Sequence, residues 1–371
     1  MNTHAPVIYV LDASVAVTGA FTSIRSSVEA LKDSARFVLV LPKGSRVSHK
    51  ECSAFSDVKY IPLVTLSKRL PALLGYLPAL MIGSWQIRKY MKRDGSQQLL
   101  LNDFYLMHSA VLRVLGFRGR IITWVRCEPE RFAGFLARPM LAVTYLTSNT
   151  IVTVSHFIQG LLPKRWKVAV LHDDYSAQVR ATKPWAEGAA KNFLYVGNYI
   201  QGKGQDMALE AFAIAARQDP SLHLTFIGGD MGLEKNRAYR KGLVARAAQL
   251  HMEQQVTFGD FVADTYPLLE TAYAALNCSV SESFSRTVLE ASGAGVAVIA
   301  TMSGGPQEII RDEETGYLIP VGDVTACAER IVELARDPAK TARMGEAGAK
   351  HIAQHFSAAK ITTQLKEVLG L

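Results

Sequence analysis

Two glutamates, Glu282 and Glu290, stand eight positions apart in the segment Asn277 to Ile310, NCSVSESFSRTVLEASGAGVAVIATMSGGPQEII. The apolar run ending at Val280 predicts a buried strand, Ser281 to Ser283 a loop, and Ser285 to Gly293 a helix. One carboxylate therefore lies in a strand-end loop and the other on the helix that leaves it. At that spacing they are not rungs of one helical ion-pair ladder. The amides of Ser283, Phe284 and Ser285 stand at a helix N-terminus, where unpaired N–H groups and the macrodipole favour a phosphate. A carboxylate can hold a vicinal diol through paired hydrogen bonds, which suits Glu290 to a nucleotide ribose. Glu282, nearer the loop, is the candidate for the hydroxyls of a transferred group.

This segment resembles the retaining glycosyltransferases of family 4, which have the GT-B fold. Their pattern is E-x-F-G-x-x-x-x-E-A, then G-x-P/A-V-I-A-T and G-G-x-x-E. Here Glu282-Ser283-Phe284-Ser285, Glu290-Ala291, Gly295 to Thr301 and Gly304 to Glu308 follow it. Ser285 replaces the usual glycine, and Val296-Ala297 the usual small-Pro pair. A serine still exposes its amide, so phosphate binding is expected to survive. A lone pair of glutamates at this spacing would carry nothing; the surrounding strand, loop, helix and Gly-Gly turn make the match specific.

A second match, Tyr195 to Asp206, resembles the family's V-G-R-x-x-x-x-K-G-x-D. Gly197 and Lys203 fit, while Asn198 takes the arginine position. The resemblance implies that Lys203 neutralises the leaving diphosphate and that Glu282 and Lys203 carry catalysis. Asn198 adds a donor but no charge, and whether Arg286 substitutes is open at this stage. The segment Val256 to Val262 resembles the stretch beside the nucleobase, making Phe261 and Val262 candidate base contacts. In the first half, Thr18-Gly19-Ala20 takes the place of a Gly-rich turn near the donor phosphate or the acceptor. Arg126 or Glu128 takes the place of a histidine near the donor sugar.

The resemblance further implies retention of configuration without a metal or other cofactor, the nucleotide-diphosphate sugar being a co-substrate linked to UDP or GDP. Neither a DxD motif nor a His/Cys constellation stands in the sequence. The acceptor is expected to be a saccharide or a lipid-linked saccharide in envelope or surface polysaccharide synthesis. Two rival readings are a non-catalytic nucleotide-sugar-binding subunit and a nucleotide-sugar epimerase on the same fold.

These residues need a scaffold. Apolar runs alternate with helical patterns, which predicts α/β architecture with parallel sheets. In the first half, strands are predicted at Val7–Leu11, Phe37–Leu41, Leu99–Leu101, Ile121–Trp124, Thr150–Val154 and Lys167–Leu171, with a helix over Thr22–Leu31. The second half predicts six more strands between Phe193 and Ile319. The 371 residues exceed what one core usually organises. Two doubly wound Rossmann-like domains facing across a cleft are expected. They are an acceptor domain over 1–175, a linker over 176–191 and a donor domain over 192–350, with a C-terminal helix over 351–371 packing back on the first.

Charge is unevenly divided. Residues 1–175 hold 22 Lys and Arg against 11 Asp and Glu, and the rest hold 19 against 22. A basic half suits an anionic partner; the spread of its cations, without zinc-finger spacing or an RNP-like signature, speaks against nucleic acid. Leu70 to Ile87 holds no charge and is flanked by Lys68-Arg69 and Arg88-Lys89 with Lys92-Arg93. Pro71, Gly75, Pro78 and Gly83 are expected to break it up, arguing against a membrane span. Its alternatives are a segment at an anionic membrane interface and a buried part of the first domain. Four scattered cysteines and an N-terminus without a basic n-region fit a cytoplasmic protein, peripheral on the inner face of the cytoplasmic membrane if the segment over 68–93 docks there.

Overall fold

The computed structural model describes residues 5–64, 70–175 and 190–371. The chain divides into two compact units, one of Met1–Asp174 with Ala358–Leu371 and one of Tyr175–Ser357.

In the first unit, β1 (Val7–Leu11), β2 (Arg36–Pro42), β3 (Asp57–Ile61), β4 (Gln98–Leu101), β5 (Arg120–Val125), β6 (Thr150–Thr153) and β7 (Val168–Val170) form a parallel sheet. Its order is β3-β2-β1-β4-β5-β6-β7. Its helices are α1 (Gly19–Leu31), α2 (Leu70–Arg93), α3 (His108–Val114), α4 (Pro129–Ala133), α5 (Ala137–Thr147) and α6 (His156–Gly160). Alternation splits β1 between two cores. Ile8 and Val10 pack with Ile24 and Val28 of α1, whereas Tyr9 and Leu11 pack with Ile87 and Met91 of α2 and Leu112 of α3.

In the second unit, β8 (Lys191–Val196), β9 (Leu222–Ile227), β10 (Val256–Gly259), β11 (Ala274–Asn277), β12 (Ala297–Thr301) and β13 (Tyr317–Ile319) form a second parallel sheet, ordered β10-β9-β8-β11-β12-β13. Around it lie α7 (Gln205–Ala216), α8 (Glu234–Gln249), α9 (Tyr266–Leu269), α10 (Arg286–Gly293), α11 (Pro306–Ile309), α12 (Val324–Arg336) and α13 (Pro338–His355). Both sheets reverse direction of winding beside their first strand, between β1 and β4 and between β8 and β11. Such switch points are where open α/β sheets bind ligands.

Several expectations need correction. The strand β3 was not foreseen: Lys59 interrupts its apolar pattern, as an edge strand tolerates. The helix α1 starts at Gly19, not Thr22, because Thr18 caps it, Oγ1 accepting from the Phe21 amide at 3.1 Å. The strand ending at Val280 stops at Asn277. The segment expected to break at its prolines and glycines is one helix of 24 residues. Pro71 sits in its first turn, where no amide partner is lost, and Pro78 faces solvent. The expected boundary at 350/351 falls inside α13, and the chain enters the first unit at Ala358. There α14 (Ala358–Leu369) places Ile361, Leu365 and Leu369 in the core beside α1. The linker expected over 176–191 lies outside the described residues except at its end, where Lys191 already opens β8.

Candidate nucleotide site at the second switch point

The loop after β8 and the loop after β11 meet at the switch point of the second sheet. Lys203 Nζ lies 2.8 Å from Glu282 Oε1, and Ser279 Oγ donates to the same oxygen at 2.7 Å. Glu282 Oε2 has no partner among the described residues, so it can accept from a ligand hydroxyl. Backbone pairing fixes this carboxylate: the Glu282 amide donates to Ser303, and its carbonyl accepts from Gly305. At Gly305 a Cβ would overlap the Phe284 backbone. Phe284 is itself buried, its ring 5.6 Å from that of Phe356, so only its backbone can serve a ligand.

Ser285 precedes α10 with φ 81° and ψ 82°, a left-handed conformation in which a glycine would be at ease. The glycine that the family pattern places here thus has a conformational reason. Ser283 is half-buried in the loop before it. The first helical amides that follow, those of Thr287 and Val288, have no carbonyl one turn back within α10. One turn on, Glu290 accepts from Arg286 Nη2 at 3.1 Å and from Thr265 Oγ1 at 3.3 Å. Arg286 is therefore committed to Glu290, which weakens its candidacy as the substitute cation. Each carboxylate oxygen of Glu290 keeps a lone pair for a diol.

Gly197 and Asn198 follow β8 directly. Asn198 Oδ1 accepts from the Gly229 amide at 3.1 Å, leaving its Nδ2 donor unengaged among the described residues. Phe261, exposed, lies against Gly229, where a Cβ would stand 3.2 Å from that of Phe261; Val262 beside it is half-buried. The sequence residues 197, 198, 261 and 262 are thus brought to one edge.

Four supporting residues were not singled out from the sequence. Buried Tyr195 donates its hydroxyl to the Lys203 carbonyl and accepts from the Cys278 amide, tying the two loops together. Buried Gln205 donates from Nε2 to the carbonyls of Gly197 and Asn198, at 3.2 and 3.0 Å. Gly204 has φ 77°, and a Cβ on it would collide with the Cys278 carbonyl. Gly228 likewise lets the Gly197 carbonyl approach. The glycines were visible as letters; the tyrosine and glutamine offered no signal, because their bonds are to backbone groups across the loop and, for Tyr195, to the distant Cys278 amide.

The first unit differs. Thr18 and Gly19 form a cap and a first helical turn, and Gly19 needs no left-handed backbone. Arg126, expected at the acceptor or phosphate loop, is 6% exposed. Its Nη1 donates to Asp173 at 2.9 Å and to Ser23 at 2.8 Å, its Nε donates to Asn102, and it stacks on Trp124 with the guanidinium carbon 3.7 Å from the ring centroid. Asn102 in turn donates to Asp12 at the end of β1. Arg126 therefore braces the first switch point from within through Nε and Nη1, while its buried Nη2 has no partner among the described residues.

A sequence model described as Glycosyl transferases group 1 matches residues 181–351. The chain carries a glycosyl transferases group 1 domain. The putative glycosyltransferase EpsD of Bacillus subtilis (strain 168) is 32% identical over 175 residues, 47% of this chain and 44% of that protein. The N-acetyl-alpha-D-glucosaminyl L-malate synthase of Bacillus anthracis is 29% identical over 179 residues, 48% of this chain and 45% of that protein. The chain spans about half the length of these curated relatives. Among solved structures, Anabaena Alr3699/HepE in complex with UDP-glucose superposes with a TM-score of 0.82 at 18% identity, covering 98% of this chain and 99% of that one. The sucrose-phosphate synthase of Thermosynechococcus elongatus gives 0.79 at 18% identity, with 98% of each chain covered. The fold is GT-B, as the resemblance implied, and the glycosyl transferases group 1 domain occupies the unit that holds the Lys203–Glu282 site.

Proposed function

We propose that the chain is a retaining, metal-independent hexosyltransferase. It would move a hexosyl group from a UDP- or GDP-linked sugar to a saccharide or lipid-linked saccharide acceptor in envelope or surface polysaccharide biosynthesis. The nucleotide sugar is the co-substrate and no resident cofactor takes part. The second unit binds the donor and the first the acceptor, with the protein peripheral on the inner face of the cytoplasmic membrane.

One observation carries this reading: Lys203, Glu282 and the start of α10 converge where the second sheet switches direction, with Glu290 one turn further on. The diphosphate would lie against the α10 amides, Asn198 Nδ2 and Lys203, which compensate the charge that grows on the leaving group. Lys203 would then divide its charge between the phosphate and Glu282. Glu282 Oε2 would accept from a hydroxyl of the hexosyl group, and Glu290 would hold the ribose diol. Retention follows if the acceptor hydroxyl attacks from the face the phosphate leaves and gives its proton to that phosphate. The UDP-glucose bound by Alr3699/HepE favours a uridine donor.

The test is a thermal-shift screen of UDP, GDP and their sugars, followed by donor turnover with and without a chelator. A ligand at about 100 times its Kd stabilises the folded state by about 2.7 kcal/mol. Stabilisation by one nucleotide and chelator-insensitive transfer with retained anomeric configuration are expected. Binding without turnover in the presence of membrane extract would favour the non-catalytic subunit, and no binding at all would remove the reading.

A further inference from the structure

The outward face of α2 is apolar along its middle and cationic at its end. Leu77, Met81, Ile82 and Trp85 are 65%, 51%, 49% and 55% exposed. At about 100° per residue these four fall on one arc, which Pro78, Lys89, Lys92 and Arg93 complete to roughly half the circumference. The opposite arc is buried: Ala79, Leu80, Gly83, Ser84, Ile87 and Met91. From Leu77 to Ile87 the helix is thus apolar on both sides, and among the described residues the inner side is the one with protein against it. Lys89 Nζ stands 5.5 Å from the Trp85 ring centroid, so charge and ring adjoin. Lys89 and Lys92 make no ion pair among the described residues, while Arg93 is paired with Asp94. No helix among the described residues is long and apolar enough to cross a membrane.

We infer that this face of α2 docks on an anionic phospholipid surface, lying in the plane of the interface. Leu77, Met81, Ile82 and Trp85 enter the boundary between head groups and acyl chains, and Lys89 and Lys92 meet the phosphates. Charge complementarity selects this occupant over a second copy of the chain. The helix from Leu70 to Arg93 holds no Asp or Glu, so the same face of a second copy has no carboxylate to meet Lys89 and Lys92, whereas lipid phosphates do. Its four apolar side chains also fall short of the roughly 800 Å² per partner that stable protein interfaces cover. The inference deepens the proposal of a peripheral enzyme with a lipid-linked acceptor and rests on that reading for its purpose, but not for its physics.

The experiment is co-sedimentation of the full chain with vesicles of phosphatidylcholine alone and with 30% phosphatidylglycerol, at low and high salt. UDP and GDP thermal shifts on the same samples report whether the nucleotide site is intact. Binding is expected on the anionic vesicles only and to weaken with salt. Each lysine near an anionic leaflet is worth roughly fivefold in partition, so Lys89→Gln with Lys92→Gln should lower binding about 25-fold. Trp85→Ser with Met81→Ser should lower it at least tenfold. All variants should keep the wild-type nucleotide shift, since they lie outside the second unit. Wild-type protein that stays in the supernatant, or variants that sediment like the wild type, would overturn the inference. So would sedimentation velocity showing a dimer that Trp85→Ser dissociates. A missing nucleotide shift with intact vesicle binding would instead sink the donor-site reading alone.

Discussion

Replacing Ser285 by glycine should leave the second unit as stable as before or more so, whereas Ser285→Ala should destabilise it. The reason is backbone geometry at φ 81° and ψ 82°. A non-glycine residue held there costs on the order of 1–3 kcal/mol. Glycine removes that cost but gives back about 0.5–1 kcal/mol through its freer unfolded chain. The serine hydroxyl contacts Asn277 at 3.3 Å and Thr287 at 3.5 Å, contacts too long to be worth more than about 0.5 kcal/mol. Alanine loses those contacts and keeps the strain. The two variants should therefore differ by about 1–2 kcal/mol in favour of glycine, or roughly 2–8 °C in melting temperature for a unit of this size. Differential scanning calorimetry of both variants reads this directly. If alanine proves as stable as glycine, position 285 does not hold a left-handed turn, and the amide geometry at the start of α10 is wrong.

Other consequences are as direct. Gly204→Ala should cost at least about 2 kcal/mol, seen in urea denaturation, since it combines a left-handed backbone with a collision against Cys278. Arg126→Met strands Asp173 in the interior and should cost about 3–5 kcal/mol, with the nucleotide thermal shift retained if Arg126 is structural. Two buried groups of the first unit should tilt its stability in opposite directions with pH. Burial raises the Asp103 carboxyl to about 6, so its contribution is fully present below about pH 4 and lost as pH rises to 6. Burial lowers His108 to about 4, so its contribution is present above about pH 6.5 and lost as pH falls through 4. Each is on the order of 3 kcal/mol across its window, and urea midpoints between pH 4 and 6.5 should slope one way in Asp103→Asn and the other in His108→Leu. Equal slopes would refute the pair.

The second sheet was legible because its strands are continuous apolar runs and its site lies in short loops after them. Glu282, Ser283, Ser285 and Glu290 are neighbours in sequence, so one strand-to-helix passage reveals them. What was hidden is held by distant partners, such as Tyr195 between Lys203 and Cys278. The burial of Arg126 was hidden for the same reason: it follows from Ser23, Asn102 and Asp173, which no local pattern joins to it. The helix α2 was misjudged because proline content was weighed without its position. A proline in the first turn loses no amide bond; Pro78 does lose one, but the 24-residue helix continues through it.

A crystal structure of the chain soaked with UDP or GDP bears most directly on the central claim. The diphosphate should lie within hydrogen-bond distance of the amides that open α10 and of Lys203 Nζ, with the ribose hydroxyls on the Glu290 carboxylate. A nucleotide seated elsewhere on the second unit, or in that place with Glu290 still closed on Arg286 and Thr265 and no ribose against it, would contradict it.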